Sequence, residues 1–66
     1  MSADCPQYRV LYLLIDESTP QICEDGPYDY RSNAIEHRNW FFGHSPGVVA
    51  CWVEKEGVPT GKRLER

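Results

Sequence analysis

Two stretches of the chain are apolar at almost every position, and they predict the main strands of the fold. Residues 8–15 (YRVLYLLI) are rich in leucine, tyrosine and β-branched side chains, and Pro6 and Asp16 bound them. Residues 48–54 (VVACWVE) have the same character. Since both faces of each stretch would be largely apolar, we expect two internal strands that lie side by side in one sheet.

The segment between these stretches predicts a short strand followed by a helix. Residues 21–24 (QICE) form the short strand, with turn-forming residues on either side. Over residues 30–42 the apolar spacing becomes helical, because residues that mark one face recur seven apart. Those residues are Ala34, Ile35, Phe41 and Phe42. Gly43 and Pro46 then end the helix. A strand over residues 39–43 is the alternative, because NWFF also suits a strand.

The order strand, strand, helix, strand predicts an α+β domain, with one helix packed across a three-stranded antiparallel sheet (β-β-α-β). At 66 residues, the chain is expected to form a single small domain (1–66), with residues 1–7 and 58–66 as flexible ends. No apolar stretch is long enough to span a membrane, and the first residues lack the pattern of a signal peptide. We therefore expect a cytoplasmic protein that does not bind membranes.

The net charge of −3 conceals an uneven distribution along the chain. Residues 1–30 carry six Asp or Glu against one Arg, a sum of −5, and residues 31–66 carry six Lys or Arg against four Glu, a sum of +2. Residues 16–30 hold five carboxylates and neither Lys nor Arg. This stretch is either a solvated acidic loop or a surface that binds a basic partner.

We expect the acidic stretch to bind a protein with a basic surface. A domain with net charge −3 is a poor electrostatic match for phosphate, so direct nucleic-acid binding is not expected. Carboxylates interleaved with tyrosines can instead imitate the charge and stacking surface of a nucleic-acid strand. The predicted partner-binding residues are Asp16, Glu17, Glu24, Asp25, Tyr28, Asp29 and Tyr30, with Trp40 as an additional anchor.

The residue types that carry catalysis or bind metals do not form a recognisable motif. The three Cys and two His are widely spaced, without the close pairs that are typical of structural zinc. Cys51 lies inside an apolar strand, where we expect an inert thiol. We therefore expect neither a catalytic residue nor a cofactor, and a zinc-binding module is kept only as an alternative.

In layout, residues 8–54 resemble small acidic inhibitors encoded by phages and other mobile elements. These include anti-CRISPR proteins and a short phage inhibitor of bacterial RNA polymerase, and the resemblance lies in the order YRVLYLLI, QICE, NAIEHRNWFF, VVACWVEK. It implies a non-enzymatic inhibitor that blocks a basic nucleic-acid-binding site of a larger complex. The alternative from another class is a structural or adaptor subunit, including a homodimer formed through strand edges.

Overall fold

The computed structural model describes residues 7–16 and 19–66, which form four strands and one helix. In chain order these are β1 (Tyr8–Asp16), β2 (Thr19–Tyr28), α1 (Arg31–His44), β3 (Val48–Lys55) and β4 (Val58–Glu65). The strands make one antiparallel sheet in the order β2-β1-β3-β4, and α1 packs on one of its faces. No helix in these two ranges is long and apolar enough to cross a membrane.

The two apolar stretches become the central strands of the sheet, β1 and β3. Val10 lies opposite Val53 and Tyr12 opposite Cys51. Val10, Val53 and Cys51 are fully buried, and Ala34 of α1 packs among them. Burying one valine side chain stabilises a fold by about 1.5–3 kcal/mol, so this small cluster supplies much of the driving force. The predicted pairing of the first strand with the third is confirmed.

The predicted helix over residues 30–42 is confirmed, and the alternative strand over residues 39–43 is wrong. The predicted apolar face packs on the sheet, with a buried Ala34 and, around it, the partly buried Ile35, Phe41 and Phe42. The helix continues one residue past Gly43, which therefore lies inside it rather than beyond its end, and Pro46 follows the last turn.

The second strand is longer than predicted, because β2 continues through the expected turn at residues 25–27. Gly26 makes this continuation feasible. Its φ of 131° is a backbone conformation that L side chains rarely adopt, and a Cβ there would lie 3.1 Å from the Tyr8 carbonyl oxygen. The pairing register with β1 shifts at the same place. Pro27 is tolerated because β2 is an edge strand.

The expected three-stranded sheet is wrong, because most of residues 58–66, the expected flexible end, forms β4 beside β3. Glu56 and Gly57 have positive φ angles of 51° and 83°. Positive φ at both central residues is the backbone of a two-residue hairpin turn, so the chain reverses directly from β3 into β4. Leu64 then lies opposite Cys51.

Two arginines fix β4 and the end of the chain to the rest of the domain. Arg38 of α1 is 8% exposed, and its Nη1 donates to the Lys62 carbonyl oxygen at 2.7 Å. Its Nε and Nη2 donate to Asn39 Oδ1 at 3.1 and 2.9 Å. Arg66 Nε donates to the Val48 carbonyl oxygen at 2.9 Å. The basic end of the chain is thus anchored to α1 and β3.

Candidate functional site

A groove of about 570 Å³ lies between the edge strand β2 and the helix α1. Its lining combines two carboxylates with four rings: Asp25, Glu36, Tyr28, His37, Trp40 and Phe41. Neither Lys nor Arg lines the groove within the described residues. We call this feature the β2–α1 groove.

The rings of the groove form a stacked series. The Tyr28 ring lies 4.6 Å from the His37 ring at an interplanar angle of 27°. His37 and Phe41 are four residues apart, so they project from the same side of α1, and their ring centroids are 6.4 Å apart. Tyr12 continues the series from β1, 5.1 Å from Phe41. The rings of the groove therefore pack against one another across the sheet and the helix.

Trp40 stands at the margin of this series and remains 55% exposed. Its indole meets Phe41 edge-on at 5.5 Å and stacks on His44 at 4.7 Å. His44 Nδ1 is 3.0 Å from the Trp40 carbonyl oxygen, which holds the imidazole against the indole. Trp40 therefore presents a large, oriented apolar surface to solvent, as an anchor residue of an interface does.

The two carboxylates come from opposite walls of the groove. Asp25 is paired with Val10 in the sheet and so points toward the helix side. It accepts a hydrogen bond from the Tyr28 hydroxyl. Partial burial, then this hydrogen bond and the Asp25 charge, raise the pKa of Tyr28 to about 12, so the hydroxyl stays protonated and donates. Glu36 is exposed on α1. The groove thus presents negative charge beside the exposed side chains of His37 and Trp40.

Of the predicted partner-binding residues, three lie together in the groove: Asp25, Tyr28 and Trp40. Glu24 does not join them, because successive side chains of a strand point to opposite faces. It lies on the other face of β2, 3.5 Å from Arg9.

The remaining predicted residues lie away from the groove lining. Asp29 and Tyr30 form the bend between β2 and α1, where Tyr30 is 68% exposed. Asp16 is the last residue of β1, at the opposite end of the β1–β2 pair from Tyr28. Glu17 falls outside the described residues. The acidic stretch is therefore divided among several parts of the surface.

Sequence reasoning missed Glu36, His37 and Phe41 as members of the site. Glu36 and Trp40 are four residues apart, as are His37 and Phe41, so helical periodicity could have grouped them on neighbouring rows of one helix side. The sequence does not indicate that β2 is the strand facing them, since that depends on where α1 crosses the sheet.

The described residues contain no group of three His, Cys, Asp or Glu side chains placed to hold a metal ion. Cys51 and Cys23 both lie opposite Tyr12, on the strands flanking β1. Two inter-strand spacings of about 4.8 Å separate them, which is longer than the Cα distance of a disulfide.

No family model matches this chain, and neither does any curated protein or solved structure. The chemistry of the β2–α1 groove therefore carries the functional conclusion.

Proposed function

We propose that this domain is a non-enzymatic binding protein whose β2–α1 groove takes up basic side chains of a protein partner. One observation carries the proposal: Asp25 and Glu36 line the groove together with the exposed side chains of His37 and Trp40, and neither Lys nor Arg is part of that lining within the described residues. This combination suits a guanidinium or ammonium group, and it repels phosphate and carboxylate.

Arginine fits the groove better than lysine does. Its planar guanidinium can stack on the indole of Trp40 while its N–H groups donate to a carboxylate. A hydrogen bond to a charged group contributes about 1.5–3 kcal/mol, and a desolvated cation–π contact adds up to about 2 kcal/mol. One well-placed arginine therefore suffices to anchor an interface of modest size.

The partner class follows from the same chemistry. Proteins that handle nucleic acid expose arginine-rich surfaces to phosphate, and an acidic aromatic groove can occupy such a surface in place of the nucleic acid. The layout of residues 8–54, which resembles phage-encoded inhibitors of the anti-CRISPR type, supports an inhibitory outcome. The proposal includes a cytoplasmic location, where such complexes work.

An arginine-rich peptide provides a direct test of the groove. We expect calorimetric titration to show binding by the wild type, and Glu36→Gln and Trp40→Ala each to weaken it at least tenfold, which corresponds to about 1.4 kcal/mol. Both side chains are exposed, so the fold should persist. Raising the salt concentration should weaken wild-type binding, because exposed charge pairs are screened.

The matched control is Glu24→Gln, which removes the same charge from the opposite face of β2. It should leave peptide affinity within about twofold of the wild type, since Glu24 is exposed, pairs with Arg9 and does not line the groove. If Glu24→Gln weakens binding as much as Glu36→Gln does, net charge rather than the groove explains the affinity. If Trp40→Ala binds like the wild type, the groove is not the site.

The inhibitory mechanism can be tested after a partner has been identified that binds the wild type and does not bind the Trp40→Ala variant. Nucleic acid should then displace the domain from that partner in a competition assay. A partner that holds nucleic acid and this domain at the same time would refute the inhibitory mechanism and leave a simple adaptor role.

A further inference from the structure

The face of the sheet opposite α1 carries a continuous apolar surface. Leu11 of β1 is paired with Trp52 of β3, and Leu13 of β1 with Ile22 of β2, and partners in a sheet share a face. The apolar members of this surface are Leu11, Leu13, Ile15, Ile22 and Trp52. No described element covers them, and Ile15 and Ile22 are 42% and 66% exposed. We call this surface the open face.

The charges of the open face are arranged in rows across the strands. In the row of Leu11, Glu24 stands on the edge strand β2, and Arg63 of the other edge strand lies over the Trp52 ring at 4.5 Å. This row therefore reads negative, apolar, apolar, positive.

In the next row along the strands, the charges lie on the two central strands, and the order is reversed: the positive residue is on β1 and the negative residue is on β3. Arg9 of β1 is paired with Glu54 of β3. Glu54 also accepts a hydrogen bond from Trp52 Nε1 at 3.0 Å, which keeps its carboxylate on this face. In these two rows, Glu24 and Arg9 of the β1–β2 half correspond to Arg63 and Glu54 of the β3–β4 half. Within the chain, Arg63 Nε also pairs with Glu65 Oε2 at 3.0 Å, and Arg9 pairs with Glu24. Glu65 lies in the following row, opposite Ala50.

We propose that a second copy of this chain packs on the open face, related by a two-fold axis that runs parallel to the strands between β1 and β3. Such a rotation keeps each residue at its height along the strands and exchanges β1 with β3 and β2 with β4. Glu24 of one copy then lies opposite Arg63 of the second copy, Arg9 opposite Glu54, and Leu11 opposite Trp52. The two copies form an aligned sandwich of two sheets.

The charge pattern selects this axis over the alternative. A two-fold axis across the strands would place each strand on its own counterpart, so that Glu24 approaches Glu24 and Arg63 approaches Arg63. Like charges placed directly opposite one another across an interface are destabilising. The parallel axis instead makes both charged rows complementary, and it leaves the β2–α1 groove of each copy on the outside.

The size of the face indicates a weak dimer. Four strands spaced about 4.8 Å apart and roughly eight residues long at about 3.3 Å each give a face of about 500 Å². The pair would bury about 1,000 Å² in total, near the lower bound for specific interfaces. We therefore expect a dissociation constant in the micromolar range and a monomer–dimer equilibrium.

Sedimentation of the full chain across a concentration series from about 1 μM to 1 mM tests the equilibrium. The wild type should shift from monomer to dimer within this range. Ile22→Glu places a negative charge at the most exposed apolar position of the face, where the axis brings Glu65 of the second copy, and should raise the dissociation constant at least tenfold. A monomer at every concentration, or a dimer indifferent to Ile22→Glu, overturns the proposal. The latter outcome favours pairing through strand edges.

A charge exchange tests the axis itself. Glu24→Arg and Arg63→Glu should each weaken association, and the double variant should recover part of it, because the two residues meet only between copies. Recovery is partial because the exchange also removes the pairs that Glu24 makes with Arg9 and Arg63 makes with Glu65 within the chain. Within one chain they stand on opposite edges of the sheet, about 14 Å apart by three inter-strand spacings, so direct pairing cannot restore the double variant. Glu36→Lys, an equal change of charge on the helix side, is the control and should leave association unchanged. A double variant weaker than either single variant overturns this geometry.

Discussion

The buried thiol of Cys51 should make the domain less stable as the pH rises into the alkaline range. Cys51 is 0% exposed. Burial raises its pKa from 9.0 to about 11, and the charge of Arg38 and a hydrogen bond from the Trp52 backbone lower it by less. In the unfolded chain the thiol returns to its ordinary pKa. Because the folded-state pKa is the higher one, the contribution of this group is complete below pH 9. It is lost as the pH rises from 9 through 11.

The size of the effect follows from the two pKa values. At pH 10 the unfolded thiol is mostly ionised and the folded thiol is mostly protonated, so the free energy of unfolding falls by about 1.4 kcal/mol relative to pH 8. A domain of this length has roughly 3–10 kcal/mol of stability in total, so the loss is measurable. Tyr28, whose pKa is raised to about 12, contributes its own loss mainly above pH 10.

Urea unfolding at pH 8, 9 and 10 provides the assay. We expect the wild type to lose about 1.4 kcal/mol over this range. Cys51→Ala should start from a lower stability, because it leaves a cavity, and should lose much less with rising pH. Cys23→Ala retains the buried thiol and should keep the wild-type decline. Equal declines in the wild type and Cys51→Ala would refute the assignment of this pH dependence to Cys51.

Three further substitutions test how α1 and β4 are stabilised. Replacing Arg38 with Met keeps the packing volume but removes the donor to a β4 carbonyl, so we expect a loss of about 1–3 kcal/mol in urea unfolding and faster amide exchange in β4 first. Unchanged exchange in β4 would contradict this role. Gly61→Ala should destabilise by about 1 kcal/mol or more, since the φ there is 82° and the new Cβ would lie 2.9 Å from Arg31 Nη2. Gly43→Ala, in the helix with nothing within 4 Å, should instead stabilise by up to about 1 kcal/mol. Thermal unfolding compares the two, and a change of the same sign in both would contradict the backbone argument.

The elements that the sequence predicted well are those whose local pattern agrees with their tertiary role. β1 and β3 are the two central strands of the sheet, paired with a neighbouring strand on each side, and continuous apolar stretches mark them. The apolar side chains of α1 recur seven residues apart because one side of the helix packs on the sheet. These patterns come from burial, and burial is visible in the order of apolar and polar residues.

β4 could not be predicted in this way, because little of its stability comes from its own side chains. It contains Pro59 and Gly61 and is mostly charged or exposed. Its backbone is held by the ladder to β3 and by the guanidinium of Arg38, which donates to it from a distant helix. The same limit applies to β2, where Gly26 and Pro27 favour a turn locally and the pairing with β1 overrides them.

The candidate site shows the same division between local pattern and tertiary placement. Tyr28 and Trp40 could be predicted as anchors because large aromatic residues beside carboxylates are typical of interfaces. Glu36 was not predicted, since its sequence neighbours are unremarkable. It becomes part of a site only because α1 crosses the sheet beside β2, a position set by the packing of the buried core.

The strand order shows where the unevenly distributed charges of the chain lie in the fold. β2 and β4 are the two edges of the sheet, so the acidic and basic segments lie at opposite edges. Because successive side chains of β2 point to opposite faces, Glu24 lies on the open face and Asp25 in the groove. Among the described residues, the carboxylates that line the groove for a basic partner are Asp25 and Glu36. A second copy on the open face meets Glu24. Charge changes on the two faces should therefore act independently: Glu36 variants alter peptide binding without altering association, and Glu24 variants do the reverse. Coupling of both readouts to either residue would show that long-range net charge, and not these two surfaces, governs what the domain binds.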